Sequence, residues 1–312
     1  MRIKVALPDL VSNSYFPAIA AVELGFFKKE GIDAGLELIF PVPSCFESLR
    51  EGQIDFVAGS AHAPLWAFPR WQGSKVLCSL SQGMYWFLVA KINSHIKKGH
   101  LDGLAGLKIA AAPGVDIGLV QLLKSAGVDP NREKIDIGLP SGGVPKGTSF
   151  GVAAAAWMQE GIIDAFWANG MGAEVAVTDE IAKIIIDVRR GDGPKEAFYF
   201  TQPALITTKR LIEKTPDVAA AAVRAIVNTQ NALRENIELA AKVGKNLFPP
   251  KEAGLIADLI KRDLPFYDAR ISQNLIDGMN VFAMRAGLLD ATPVSYDDIV
   301  AREFSHIWEL GK

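Results

Sequence analysis

His62 and Cys45 are the two side chains of this chain whose types could support nucleophilic chemistry, if folding brought an imidazole and a thiol within hydrogen-bond reach. A reactive thiol also needs a tuned pKa and a positioned base, and neither condition is written in the sequence around Gly59-Ser60-Ala61-His62 or Pro41-Val42-Pro43-Ser44-Cys45. Non-covalent chemistry has more material. Asn13, Ser14 and Tyr15 can bond a ligand's oxygens while Tyr15 or Phe16 covers an apolar face, the mixture expected of small-molecule pockets. Trp167 offers a rigid stacking surface, with Asn169 two residues on. Gly114, Val115 and Asp116 stand in a strand, glycine turn, helix order that points backbone N–H groups at an anion or polar ligand. Ser44, Cys45, Ser60 and His62 complete the candidate ligand-binding set, and no residue is assigned as catalytic. For each of these residues the competing assignment is a satisfied cap or turn, since caps also select Ser, Asn and Gly.

The elements that must position this set are marked by a phrase used twice. Ser48-Leu49-Arg50-Glu51-Gly52-Gln53-Ile54-Asp55-Phe56-Val57-Ala58-Gly59 is echoed by Trp157-Met158-Gln159-Glu160-Gly161-Ile162-Ile163-Asp164-Ala165-Phe166-Trp167-Ala168. Each reads as a helix ended by glycine, then Ile-Asp leading into a short buried strand. Two α/β lobes follow, each with one copy. Ligands of open α/β sheets bind outside the carboxyl ends of the strands, so the loops expected at the site are Ser12–Phe16, Pro41–Cys45, Ser60–His62, Pro113–Gly118 and Trp167–Met171.

In the first lobe, strands are read at Ile3 to Leu7, Leu36 to Phe40, Phe56 to Ala58 and Val76 to Leu80. Ser12, Asn13 and Ser14 are candidate caps for a helix opened by Pro17. Ser44 with Glu47 makes a capping box for a helix running to Arg50. Phe87 to Ala90 leaves this lobe. The second opens at Leu107 to Ala112, continues through a strand at Ile135 to Leu139 and the long Ser141–Ser149 loop, and ends in a strand at Ile184 to Val188. A strand from Phe198 to Thr207 returns the chain, and an alanine-rich helix starts at Thr215-Pro216-Asp217 and runs to about Val243. The first lobe is therefore 1–90 plus 198–312 and the second 91–197. The alternation of strands and helices implies mostly parallel pairing.

Composition excludes several classes. The chain has 312 residues, 49% of them hydrophobic, and a net charge of −2 from 33 basic and 35 acidic residues. That balance, without a basic run, removes the footprint of nucleic-acid binding. No stretch approaches the roughly 20 apolar residues of a membrane span, so no direct membrane insertion is expected. The start reads as a strand rather than a signal peptide. Cys45 and Cys78 could pair or stay reduced. Gly170-Met171-Gly172 lacks the third glycine of a dinucleotide fingerprint, the Gly142–Thr148 run lacks phosphate-loop spacing, and His95, His100 and His306 have no ligand-spaced partners, so neither cofactor nor metal is expected. The five loops above carry no lysine or arginine, which points to a weakly charged or aromatic ligand rather than one held by a cationic clamp. Lys146 and Arg70 are read as solvated surface.

The run Phe16-Pro17-Ala18-Ile19-Ala20-Ala21-Val22-Glu23-Leu24-Gly25-Phe26-Phe27-Lys28-Lys29-Glu30-Gly31-Ile32-Asp33 resembles the ABC-transporter solute-binding proteins typified by nitrate, sulfonate and taurine receptors, a family that includes the fungal thiamine-pyrimidine synthases (NMT1/THI5-like). Glu51–Phe56, Leu104–Ile109 and Pro216–Val218 add to the likeness. The resemblance implies a type II periplasmic-binding-protein fold with two crossover strands, hinge closure on a small organic ligand, delivery to an ABC permease and a periplasmic location, with a cytoplasmic sensor as the alternative to export. It also aligns His62 with the histidine those synthases consume, but their cysteine-rich iron motif is absent. A desulfinase of this fold uses a cysteine in the first loop, where this chain has Ser12, Asn13 and Ser14. The expectation is a non-enzymatic binding protein, its rival an enzyme on the same scaffold using His62 or Cys45.

Overall fold

Five strands of the computed structural model, β1 (Ile3–Leu7), β2 (Ala34–Leu38), β3 (Phe56–Ser60), β4 (Ser74–Ser79) and the late β10 (Pro203–Thr208), form one sheet in the order β2-β1-β3-β10-β4. Five more, β5 (Phe87–Lys91), β6 (Lys108–Ala111), β7 (Asp136–Gly138), β8 (Ala165–Ala168) and β9 (Ala182–Asp187), form a second in the order β7-β6-β8-β5-β9. The structure describes residues 2–146 and 148–311, and Met1, Gly147 of the Ser141–Ser149 run and Lys312 lie outside them. The chain divides into two units, 2–83 with 199–311, and 84–198.

In each sheet the strands of the β-α alternation are parallel, and the strands that the chain adds out of order are not. β1 runs parallel to β2 and β3, whereas β10 is antiparallel to β3 and β4. β6 runs parallel to β7 and β8, whereas β5 is antiparallel to β8 and β9. The expected boundary at residue 90 is corrected by this pairing. Phe87 faces Ala168 and Asp187 in the second sheet, so β5 belongs wholly to that unit and the break falls after Gly83. A run such as Phe-Leu-Val-Ala fits the middle of either sheet, and only its partners decide.

The repeated phrase has the same job in both units. The Asp55 carboxylate accepts the Lys4 amide at 2.8 Å and the Asp55 amide returns to the Lys4 carbonyl at 3.1 Å. Asp164 accepts the Lys108 amide at 3.0 Å and returns its own at 2.9 Å. Each Ile-Asp step thus clasps the new strand to the start of its parallel neighbour, β1 or β6, at the edge opposite the carboxyl ends.

Helix Pro216–Glu235 packs on helix Phe16–Glu23, and Arg224 holds Glu30 at 2.6 Å. The continuous helix expected to Val243 is broken at Asn236, which is extended and whose side chain accepts the Glu238 amide at 3.1 Å, starting helix Glu238–Leu247 afresh. In the second unit, helices Phe150–Gln159 and Gly170–Thr178 meet through glycines: an ideal Cβ on Gly172 would lie 2.5 Å from the Gly151 Cα. This close approach is the use of Gly172 that the failed fingerprint left open.

Candidate functional site

The sharpest departure from expectation is at the start of helix Phe16–Glu23. Ser12, Asn13 and Ser14 do not cap it: Tyr15 occupies the N-cap without a side-chain bond, and Pro17 leaves one fewer amide to satisfy. Ser12 Oγ instead accepts the Tyr15 amide at 3.4 Å. All four residues are buried. Asn13 donates its side-chain amide to Asp263, and its carbonyl accepts the Tyr267 hydroxyl at 2.6 Å. The Asn13 Oδ1 and Ser14 Oγ atoms are buried with no hydrogen-bond partner among the described residues. A polar atom in that state carries a desolvation cost that a ligand can offset.

The same sheet edge collects further polar groups. β10 is antiparallel, so its first residues lie at the carboxyl ends of β1 and β3, with Pro203 opposite Ser60. Ser60, expected on a loop, is the last residue of β3 and fully buried. His62 follows it, and its Nδ1 lies 2.9 Å from Thr201 Oγ1. The imidazole is packed edge-on against Trp66 and Phe282, at ring centroid distances of 5.4 and 5.0 Å. Gln202 sits beside it, its carbonyl bound to the Ala61 amide at 2.9 Å, and both atoms of its side-chain amide are buried without partners among the described residues. Gln202 is a residue that the sequence reading missed.

Two expectations in this unit are corrected. The helix read as starting from a Ser44–Glu47 capping box begins earlier, at Val42, because Pro43 fits its first turn; Ser44 is a half-buried helical residue whose amide donates to Pro41. Cys45 does not face a reaction centre as a free nucleophile. Its thiol donates to the Ile39 carbonyl at 3.0 Å, and burial pushes its pKa up to about 12, so it stays protonated. Cys78 is also a buried free thiol, its pKa raised by burial.

In the second unit Trp167 is a buried residue of β8 whose indole Nε1 has no partner among the described residues. Trp86 lies 6.1 Å from it and Tyr85 4.6 Å from Trp86, ring to ring. Gly118 is the floor of this cluster, since a Cβ there would lie 2.7 Å from the Trp86 ring. The anion-binding turn is corrected. Gly114 donates to the Asp116 carboxylate at 2.9 Å, and the Val115 and Asp116 amides both donate to the Ala112 carbonyl at 3.0 Å. Those N–H groups are used within the turn, with a carboxylate already placed where an anion would sit. The Asn169 side chain likewise caps helix Gly170–Thr178, accepting the Met171 and Gly172 amides at 3.0 and 3.4 Å. Arg189, missed as a candidate, is buried with its guanidinium 5.8 Å from the Phe87 ring centroid.

Arg70 is tied to Asp290 and to the Thr292 carbonyl, and Lys146 is exposed. Among the described residues no group of three or more His, Cys, Asp or Glu could hold a metal ion, and no helix is long and apolar enough to cross a membrane.

Solved structures share this fold across nearly the whole chain. The periplasmic nitrate-binding protein NrtA from Synechocystis PCC 6803 superposes with a TM-score of 0.72 at 15% identity, covering 98% of this chain and 87% of its own. The alkanesulfonate-binding protein SsuA from Xanthomonas axonopodis pv. citri, bound to MOPS, gives 0.71 at 13%, covering 96% and 97%. The desulfurization enzyme DSZB gives 0.61 at 16%, covering 98% of each chain. At such identities the likeness concerns the fold, a two-sheet α/β architecture of the periplasmic-binding type. No curated protein matches the chain. The family model described as NMT1/THI5 like matches residues 12–238, well over half of the sequence, and the chain therefore belongs to the NMT1/THI5-like family.

Proposed function

We propose that this protein is a non-enzymatic solute-binding protein that captures a small organic molecule and delivers it to an ABC importer outside the cytoplasmic membrane. The observation that carries this reading is the set of buried, unpartnered neutral polar atoms at one sheet edge: Asn13 Oδ1, Ser14 Oγ and both ends of the Gln202 amide. Side chains that neither cap a helix nor serve the core are suited to a bound molecule, whose orientation they would fix. The Tyr85–Trp86–Trp167 cluster, in which the Trp167 indole N–H has no partner among the described residues, supports an aromatic or otherwise flat ligand. The solved relatives named for nitrate and alkanesulfonate binding supply the transport context, and the permease is the partner that context implies.

The enzyme reading has less support. Cys45 is a protonated, buried thiol bonded to the main chain, and His62 is held by Thr201 between two aromatic rings. A thermal-shift screen against aromatic acids, pyrimidines and sulfonates tests the binding reading. A ligand at a hundred times its dissociation constant is expected to add about 2.7 kcal/mol, with the ligand recovered unchanged. Turnover that disappears in His62→Ala would decide for an enzyme instead.

A further inference from the structure

Asn13 is gripped twice by a single turn of the chain. Helix Pro250–Asp263 ends at Asp263, and a short turn over Leu264–Phe266 carries the chain on to Tyr267. Asp263 accepts the Asn13 side-chain amide, and the Tyr267 hydroxyl donates to the Asn13 carbonyl at 2.6 Å. All three residues are fully buried. Tyr267 is itself anchored, since its amide donates to the Leu264 carbonyl at 3.1 Å and its carbonyl accepts Arg234. The arrangement lies within the first unit, in the segment beyond the carboxyl end of β1, where ligands of open α/β sheets bind.

Both bonds tie the loop down, but Asp263 also decides which way the Asn13 carboxamide faces. That group is planar, and turning it by half a rotation exchanges an acceptor oxygen for a donor nitrogen of nearly the same shape. A side-chain amide in the place of Asp263 would bond Asn13 either way round. A carboxylate is costlier to bury, and what it adds is one-sidedness: its oxygens accept, so only the Asn13 nitrogen can meet them. With Nδ2 committed to Asp263, Oδ1 is left on the other edge of the group, buried and with no hydrogen-bond partner among the described residues. Ser14 Oγ is in the same state, but a hydroxyl can donate or accept and sets no such constraint.

Resting on the binding reading above, we infer that Asp263 is a positioning residue that turns Asn13 so that Oδ1 meets an N–H or O–H donor of the bound molecule. The ligand class is then an amide, amino-heterocycle or hydroxylated organic molecule. An ester, an ether or a fully deprotonated oxyanion would present a second acceptor to Oδ1 and leave both unpaired, a cost of the kind that gives buried hydrogen-bonding sites their selectivity.

The test is calorimetric titration of the full chain with two probes that differ only at one group: benzamide, which carries the donor, and methyl benzoate, which does not. The wild type is expected to bind benzamide at least tenfold more tightly. Asp263→Asn lets the Asn13 carboxamide turn round and is expected to cut that ratio to threefold or less, as is Asn13→Leu. A merely structural Asp263 would lower the melting temperature and leave the ratio where it was, and that result would overturn its positioning role. A second measurement needs no variant of Asp263. In the proton–nitrogen correlation spectrum of the wild type, the Asn13 side-chain NH2, assigned by its loss in Asn13→Leu, should show one proton shifted well downfield by the carboxylate; a signal at the ordinary asparagine position would overturn the orientation. Methyl benzoate bound as tightly as benzamide would overturn the ligand class and leave the binding reading standing. Binding of neither probe would overturn both.

Discussion

Asn13 donates its side-chain amide to the carboxylate of Asp263, a bond that joins the first loop of the chain to a helix near its end. The partners are 250 residues apart in sequence, and both are fully buried. Replacing Asn13 by Leu leaves Asp263 with one donor fewer. Hydrogen bonds to charged groups contribute about 1.5–3 kcal/mol, so Asn13→Leu is expected to lower the urea midpoint by about 2 kcal/mol equivalent with the m-value unchanged. A midpoint equal to wild type would show that the bond does not hold the loop.

Cys45 and Cys78 are both buried thiols with raised pKa values. Native protein is expected to be inert to a disulfide reagent at pH 8 and to release two equivalents of thiol only on unfolding. Cys45→Ser should bind ligand as the wild type does. Rapid modification of one thiol in the folded state would restore Cys45 to the list of candidate nucleophiles.

Asp164 titrates as part of the strand clasp. Partial burial works to raise its pKa, but the Lys108 amide and the Lys91 ammonium, at 3.0 and 3.1 Å, outweigh it and hold the value below 3.8. A carboxylate with a depressed folded pKa stabilises fully above its unfolded value, and that contribution is lost as pH falls through the folded value. Because the side chain is 37% exposed, the effect is modest, about 1 kcal/mol or less. Asp164→Asn is expected to be less stable than wild type at pH 7 and to converge on it below pH 3.8 in acid unfolding curves. A gap that stays constant across that range would mean the ionised form contributes nothing.

Gly172→Ala should be the costliest single-methyl change in the second unit. The added Cβ would meet Gly151 backbone at 2.5 Å, so two helices must separate; overpacking of this kind costs about 1–3 kcal/mol. Gly138→Ala, where nothing lies within 4 Å, is the control and should be near neutral. Equal melting temperatures for the two variants would contradict the helix contact described.

Much of this was legible in the sequence, and the part that was not has a common cause. The repeated Ile-Asp phrase, the glycine stops and the β-α order are local signals, and they located both sheets and the Ser12–Tyr15 loop. Gln202 and Asp263 carried no such signal. Gln202 matters because β10 inserts antiparallel beside β3, and Asp263 because its helix meets a loop 250 residues earlier at Asn13; periodicity records neither pairing. Ser44, Gly114, Asp116 and Asn169 were over-read for the opposite reason. Turn and cap chemistry selects the same residue types as ligand binding, and in these four it takes up the backbone or side-chain groups that were available.

Native mass spectrometry of the wild type beside a Ser14→Ala, Gln202→Leu double variant bears most directly on the claim that the orphaned polar atoms exist for a guest molecule. The wild type should retain one small organic molecule per chain, released intact on activation, and the variant should carry at least tenfold less. An adduct that survives both substitutions, or a wild type that emerges bare from every candidate pool, would contradict it.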